Sequence, residues 1–313
     1  MAIVSSQEVD RLVSRARAVA RAEPAPVGAM HALASTGRLL HALGELSAAE
    51  LLMGEILAQP GLHPTASEEK ILDGGQWFAA LRAESSQATV GTPEERAMCA
   101  AAIEFCASVA DTLGRDSIAL WRLALRHGSD SWLCAAHIQG RMLREGILGR
   151  SVLPLDEASS GNHQREALLV AAMGESAGPV IGAPLLAQSM WSFLRIPSPH
   201  LPERAFSALA TFTELTRSEP ELTLDLAQLG LYCLDTHRER PSFPILKAHT
   251  FRVLETCARS RGQDRHDFVK DLGPVFASLK IAEVSARAGQ TLARLGNAGR
   301  LGWLLSIGPI DRA

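Results

Sequence analysis

The chain has 313 residues, 47% of them hydrophobic, 21% charged and 5% aromatic. It is roughly twice the length of an ordinary domain and apolar enough to build a sizeable core, which excludes a disordered chain. A formal charge of −3 excludes a globally basic nucleic-acid binder, because neutralising phosphates needs an excess of Lys and Arg.

From the N-terminus, Ser5 and Glu8 stand at capping-box spacing, where each side chain can satisfy a backbone N–H of the other. Val9, Leu12, Val13, Ala16, Val19 and Ala20 follow at three- and four-residue spacing and predict a first helix. Arg11, Arg15, Arg17 and Arg21 flank that stripe, where long side chains keep their heads in water. With no aromatic residues among them, they argue against a nucleic-acid surface. The segment Met1–Val4 is too short for the apolar part of a signal peptide. The expected location is therefore the cytoplasm, or secretion by a route without a cleavable signal peptide.

The capping-box spacing returns at Ser47/Glu50, Thr65/Glu68, Thr92/Glu95 and Ser218/Glu221, with Pro93 at a first helical position. Helix stops fall at Gln59-Pro60-Gly61, Gly114, Gly128 and Gly262. These marks predict helices over 6–22, 26–43, 48–59, 67–83, 93–113, 116–127, 130–147, 163–174, 183–195, 203–217, 220–237, 244–260, 265–272, 275–295 and 299–306. No alternating run of β-branched and aromatic residues reads as a strand. The expected class is all-α: about fifteen short helices in an irregular α-solenoid or a multi-helix bundle, without a sheet.

The polar segment Ser151–His163 separates an N-terminal part, 1–150, from a C-terminal part, 164–313, which we read as one continuous helical unit with a loop at 151–163. A second break lies at Pro197–Pro202, where three prolines forbid helix. Ala167–Leu194 carries only one formal charge, Glu175, and is long enough to cross a bilayer. Gly174, Gly178, Pro179, Gly182 and Pro184 interrupt it, so two buried helices joined by a Gly/Pro turn are expected in its place.

Only four of the 31 basic residues are lysines (Lys70, Lys247, Lys270 and Lys280), leaving 27 arginines. Together with abundant alanine this points to GC-rich coding and a bacterial source. Cys99, Cys106, Cys134, Cys233 and Cys257 lack C-x-x-C spacing, so neither a disulfide framework nor a zinc site is expected. They read as buried, inert thiols.

Two groups of residues could carry chemistry or binding. Trp121, Arg122, Arg126, His127, Trp132 and His137 gather around the turn at Gly128. There an indole beside a guanidinium could hold an anion or a partner side chain, and core packing is the alternative. In the C-terminal half stand His237, His249 and the doublet His266-Asp267 within RHDFVKDLG. The HDxxK pattern is similar to the metal motif of HD-domain phosphohydrolases, which are all-α. The resemblance implies a divalent metal on His249, His266 and Asp267, activating water against a phosphoester. The doublet follows the polar run RGQDR and not an apolar helix, which leaves a solvated helix start capped by Asp264 or Asp267 as the other reading. Asp111 and Asp116 suggest a DxxxxD metal clamp, but Gly114 breaks the helix between them.

Residues 36–61 resemble one tetratricopeptide hairpin, with Gly37, Leu40, Gly44, Ala49 and Met53 at its small and large packing positions and Pro60 near its terminal proline. One period further on, Ala83 keeps the register, but Gln87 stands where a bulky apolar residue belongs. Phosphate-binding loops, G-x-G-x-x-G, H-E-x-x-H and G-x-S-x-G are all missing from the sequence. Many capped helices without a catalytic motif point to a bacterial scaffold, adaptor or effector that binds another protein and needs no cofactor. The alternative is the metal-dependent phosphohydrolase.

Overall fold

The computed structural model describes residues 4–59, 91–146, 161–195, 203–218, 220–235, 237–264, 266–268, 270, 284, 286 and 288–291. Among them the chain is all-α, with no strand. It divides into two compact units, Met1–Pro154 and Leu155–Ala313. The predicted helices 67–83 and 299–306 lie outside the described residues, and 265–272 and 275–295 lie there in part.

In unit one, α1 is Ser6–Ala22, α2 Pro26–Ala42, α3 Leu46–Leu57, α4 Pro93–Thr112, α5 Ile118–Arg126 and α6 Ser131–Arg144. Each helix packs on the next, and α1–α3 and α2–α4 also touch. The capping box of α1 forms as its spacing requires: Glu8 N–H donates to Ser5 Oγ at 3.3 Å and Ser5 N–H to Glu8 Oε2 at 3.0 Å. The stripe then buries Val9, Val13 and Ala16, and Arg17 Nε donates to Glu55 Oε1 of α3 at 2.7 Å. Thr92 and Glu95 build the same box on α4, with Pro93 in the first turn. That helix is wrapped by its neighbours and buries Ile103, Phe105, Cys106 and Val109. Each large apolar side chain taken out of water there contributes on the order of 1.5–3 kcal/mol. The Phe105 ring lies where a Cβ on Gly37 would stand, 2.3 Å from its Cζ, so glycine lets α2 and α4 close up.

One start signal needs correction. Ser47 and Glu50 form no capping box, because α3 already begins at Leu46, with Glu45 as an N-cap that makes no side-chain bond. The turn after α2 is closed by Glu45 N–H to Leu40 O at 2.9 Å and Gly44 N–H to His41 O at 3.0 Å, which starts α3 early. Glu50 is turned outward to pair with Arg115.

In unit two, α7 is His163–Ser176, α8 Gly178–Arg195, α9 Glu203–Leu215, α10 Pro220–Asp235 and α11 Phe243–Ser260. Helix α9 packs on the other four, and Phe212, Leu226, Val253 and Cys257 sit in the common core. Asn162 caps α7 by accepting from Gln164 and Arg165 N–H at 3.0 and 3.1 Å. Two helices do replace the suspected membrane segment, but the second begins at Gly178 and not at 183, running through Gly182 and Pro184. The cause is close packing: a Cβ on Gly182 would lie 2.2 Å from the Gly174 carbonyl oxygen. Ser189 Oγ also donates to Ala167 O at 2.7 Å across the pair. Burial against α7 therefore overrides the local helix-breaking tendency. No helix among the described residues is long and apolar enough to cross a membrane.

Candidate functional site

The tryptophan–histidine cluster of unit one is held together by a residue on another helix. Asp111, near the end of α4, is buried. Its Oδ2 accepts from Trp121 Nε1 of α5 at 2.9 Å, and its Oδ1 accepts from Ser117 Oγ in the connection. On its other side the fully buried Trp121 stacks face to face on His137 of α6, with ring centroids 3.9 Å apart and planes 6° from parallel. His137 Nδ1 lies 3.9 Å from Asp111 Oδ2. Trp121 and His137 are thus core residues, closed to a surface ligand. Arg122, Arg126 and Trp132 are half-buried, and burial pushes the His127 imidazole below its usual range.

The end of α4 explains why arginines crowd this place. Gly114 adopts φ +73°, a conformation costly for other residues. It closes the helix by Arg115 N–H to Ala110 O at 2.8 Å and Gly114 N–H to Asp111 O at 3.0 Å. From α6, Arg144 Nη1 donates to Asp111 O and Arg141 Nη2 to Gly114 O, each at 3.2 Å. These guanidiniums satisfy the end carbonyls and meet the negative end of the helix dipole. Asp116 has a separate task, accepting Ile118 N–H at 3.1 Å at the start of α5. The DxxxxD pair is therefore two local anchors and no clamp.

The C-terminal histidines are placed differently from one another. His249 is buried on α11, whereas His266 and Asp267 are exposed. His266 N–H donates to Asp264 Oδ1 at 2.8 Å, the geometry of a capped helix start. His237 is buried behind α10, with Nδ1 2.9 Å from Cys233 O and its ring edge-on to Phe206 at 5.7 Å. Among the described residues no group of three or more His, Cys, Asp or Glu side chains could hold a metal ion. All five cysteines are buried, and none forms a disulfide.

A groove in unit two, which sequence reasoning missed, combines charge with free hydrogen-bonding capacity. About 590 Å³ in volume, it is lined by Glu214, Arg217, Ser218, Thr256, Arg259 and Ser260. Glu214 stands in the last turn of α9, Arg217 and Ser218 in the turn that follows it, and the others near the C-terminal end of α11. Arg252 fixes Glu214 with two bonds of 2.6 Å, Nε to Oε1 and Nη2 to Oε2. Such a fork both orients the carboxylate and neutralises it. Ser260 Oγ donates to Cys257 O at 2.8 Å. Thr256 is 5% exposed, and its Oγ1 has no hydrogen-bond partner among the described residues. An orphaned buried hydroxyl costs about 1–3 kcal/mol unless a ligand or water meets it. Arg217 is exposed and has no ion-pair partner among the described residues.

No protein-family model, curated protein or solved structure matches this chain.

Proposed function

We propose that this protein binds another protein through its helical surface, as a scaffold or adaptor, with the groove between the ends of α9 and α11 as the contact. The supporting observation is the groove's character. All six described residues that line it carry hydrogen-bonding side chains, and it is open to solvent. Small-molecule sites enclose most of their ligand against apolar walls, while an open polar groove suits an extended segment of a partner. The two helices that bear it, α9 and α11, share the core of unit two. Affinity capture from the native host tests the reading, with Ser218→Trp as a plug at an exposed position. The expected result is a reproducible partner that the plugged variant fails to retain. No reproducible partner for a folded bait, or the same partners with the plug in place, would contradict it.

A further inference from the structure

Resting on the reading of this groove as a partner-binding surface, we propose that its occupant is an acidic segment of the partner, with carboxylates taken by Arg217 and Arg259.

Three observations select that chemistry. The first is the balance of donors and acceptors. Glu214 is the only lining carboxylate among the described residues, and the Arg252 fork already engages both of its oxygens. The remaining described lining groups are two guanidiniums and three hydroxyls, of which only Ser260's already donates, to Cys257 O, a set that favours an acceptor-rich ligand. The second is charge. Around the groove Glu214 pairs with Arg252, Glu255 with Arg259 and Glu221 with Arg261, which leaves Arg217 as the excess cation among the described residues. The Arg259–Glu255 contact is 3.6 Å, too long for a hydrogen bond, and the Arg259 side chain is 62% exposed. Its guanidinium can therefore turn to a better-placed carboxylate. The third is Thr256, a lining residue whose buried hydroxyl has no hydrogen-bond partner among the described residues. A small excess of positive charge fits singly charged carboxylates spaced along a chain, each met by one arginine, better than a phosphate dianion that concentrates its charge.

The test uses fluorescein-labelled hexaglutamate and hexalysine, with fluorescence anisotropy in about 20 mM salt, where screening is weak. The full chain should bind hexaglutamate in preference to hexalysine. Arg217→Glu/Arg259→Glu should weaken hexaglutamate about tenfold, equivalent to about 1.4 kcal/mol, and Arg217→Lys/Arg259→Lys should keep most of the binding. Both pairs of substitutions lie at exposed positions, and an unchanged circular dichroism spectrum verifies folding. Equal binding by wild type and the charge-reversed variant, or equal binding of the two peptides, overturns the proposal. Displacement of hexaglutamate by an equal concentration of inorganic phosphate also overturns it and makes the groove a small-anion site. Failure here is separable from failure of the protein-binding reading. A native partner captured undiminished by the charge-reversed variant refutes the acidic segment alone. Arginine-dependent hexaglutamate binding without any native partner refutes the protein-binding reading alone.

Discussion

Replacing Asp111 by alanine should loosen α4, α5 and α6 together, because this one carboxylate serves donors on two other segments. Trp121 Nε1 and Ser117 Oγ both donate to it inside the core. A hydrogen bond to a charged group contributes about 1.5–3 kcal/mol, and each buried donor left without a partner costs a similar amount. Part of this is offset because the buried charge itself disappears. The net loss expected is about 3 kcal/mol for Asp111→Ala and about 1 kcal/mol for Asp111→Asn, which keeps an acceptor for the indole. Hydrogen exchange read by mass spectrometry on peptides within 93–144 measures this locally, and peptides from unit two serve as the internal reference. A loss of about 3 kcal/mol means roughly 150-fold faster exchange for amides that open with the cluster. Exchange in the alanine variant within about twofold of wild type would refute the clamp, and so would an asparagine variant as damaged as the alanine one.

Gly182→Ala should lower the stability of unit two by about 3 kcal/mol in urea denaturation, since the new methyl meets the Gly174 carbonyl oxygen at 2.2 Å and backbone cannot rotate aside; a change under about 0.5 kcal/mol would contradict the packing. Thr92→Ala removes one half of the capping box on α4 and should cost about 1 kcal/mol in the same assay. Burial pushes the Cys106 thiol up to about 12 and the Cys99 and Cys233 thiols to about 11. A thiol whose value is raised by folding stabilises the fold fully below its unfolded value and loses that contribution as pH rises through the folded one. Stability should therefore fall between about pH 9 and 12, and a thiol-labelling reagent at pH 8 should modify the native protein far more slowly than the unfolded one. Rapid native labelling would refute the burial.

Helix existence and type were legible because capping and periodicity are local. Ser5/Glu8 and Thr92/Glu95 form the predicted boxes, and Gly114, Gly128 and Gly262 all stand at helix ends with positive φ. Errors arose where tertiary contact outweighed local preference. The Gly174–Gly182 approach carried α8 through residues that disfavour helix, and the turn at Gly44 moved the start of α3 ahead of Ser47. The unit-one cluster was legible in part: Trp121 and His137 do meet, but Asp111 joins them from ten residues before the tryptophan on a different helix. The groove left no local mark. Its orienting fork joins Glu214 to Arg252 across 38 residues, and nothing in either segment announces the other.

Photocrosslinking from inside the groove tests the central claim most directly. A benzophenone side chain at exposed Ser218, expressed in the native host, should give one reproducible adduct to another protein. That adduct should disappear in the Arg217→Glu/Arg259→Glu background, and the same label at exposed Asp10 of α1 should not yield it. An adduct formed equally from both positions, or one indifferent to the arginines, would contradict the assignment of this groove as the partner-binding surface.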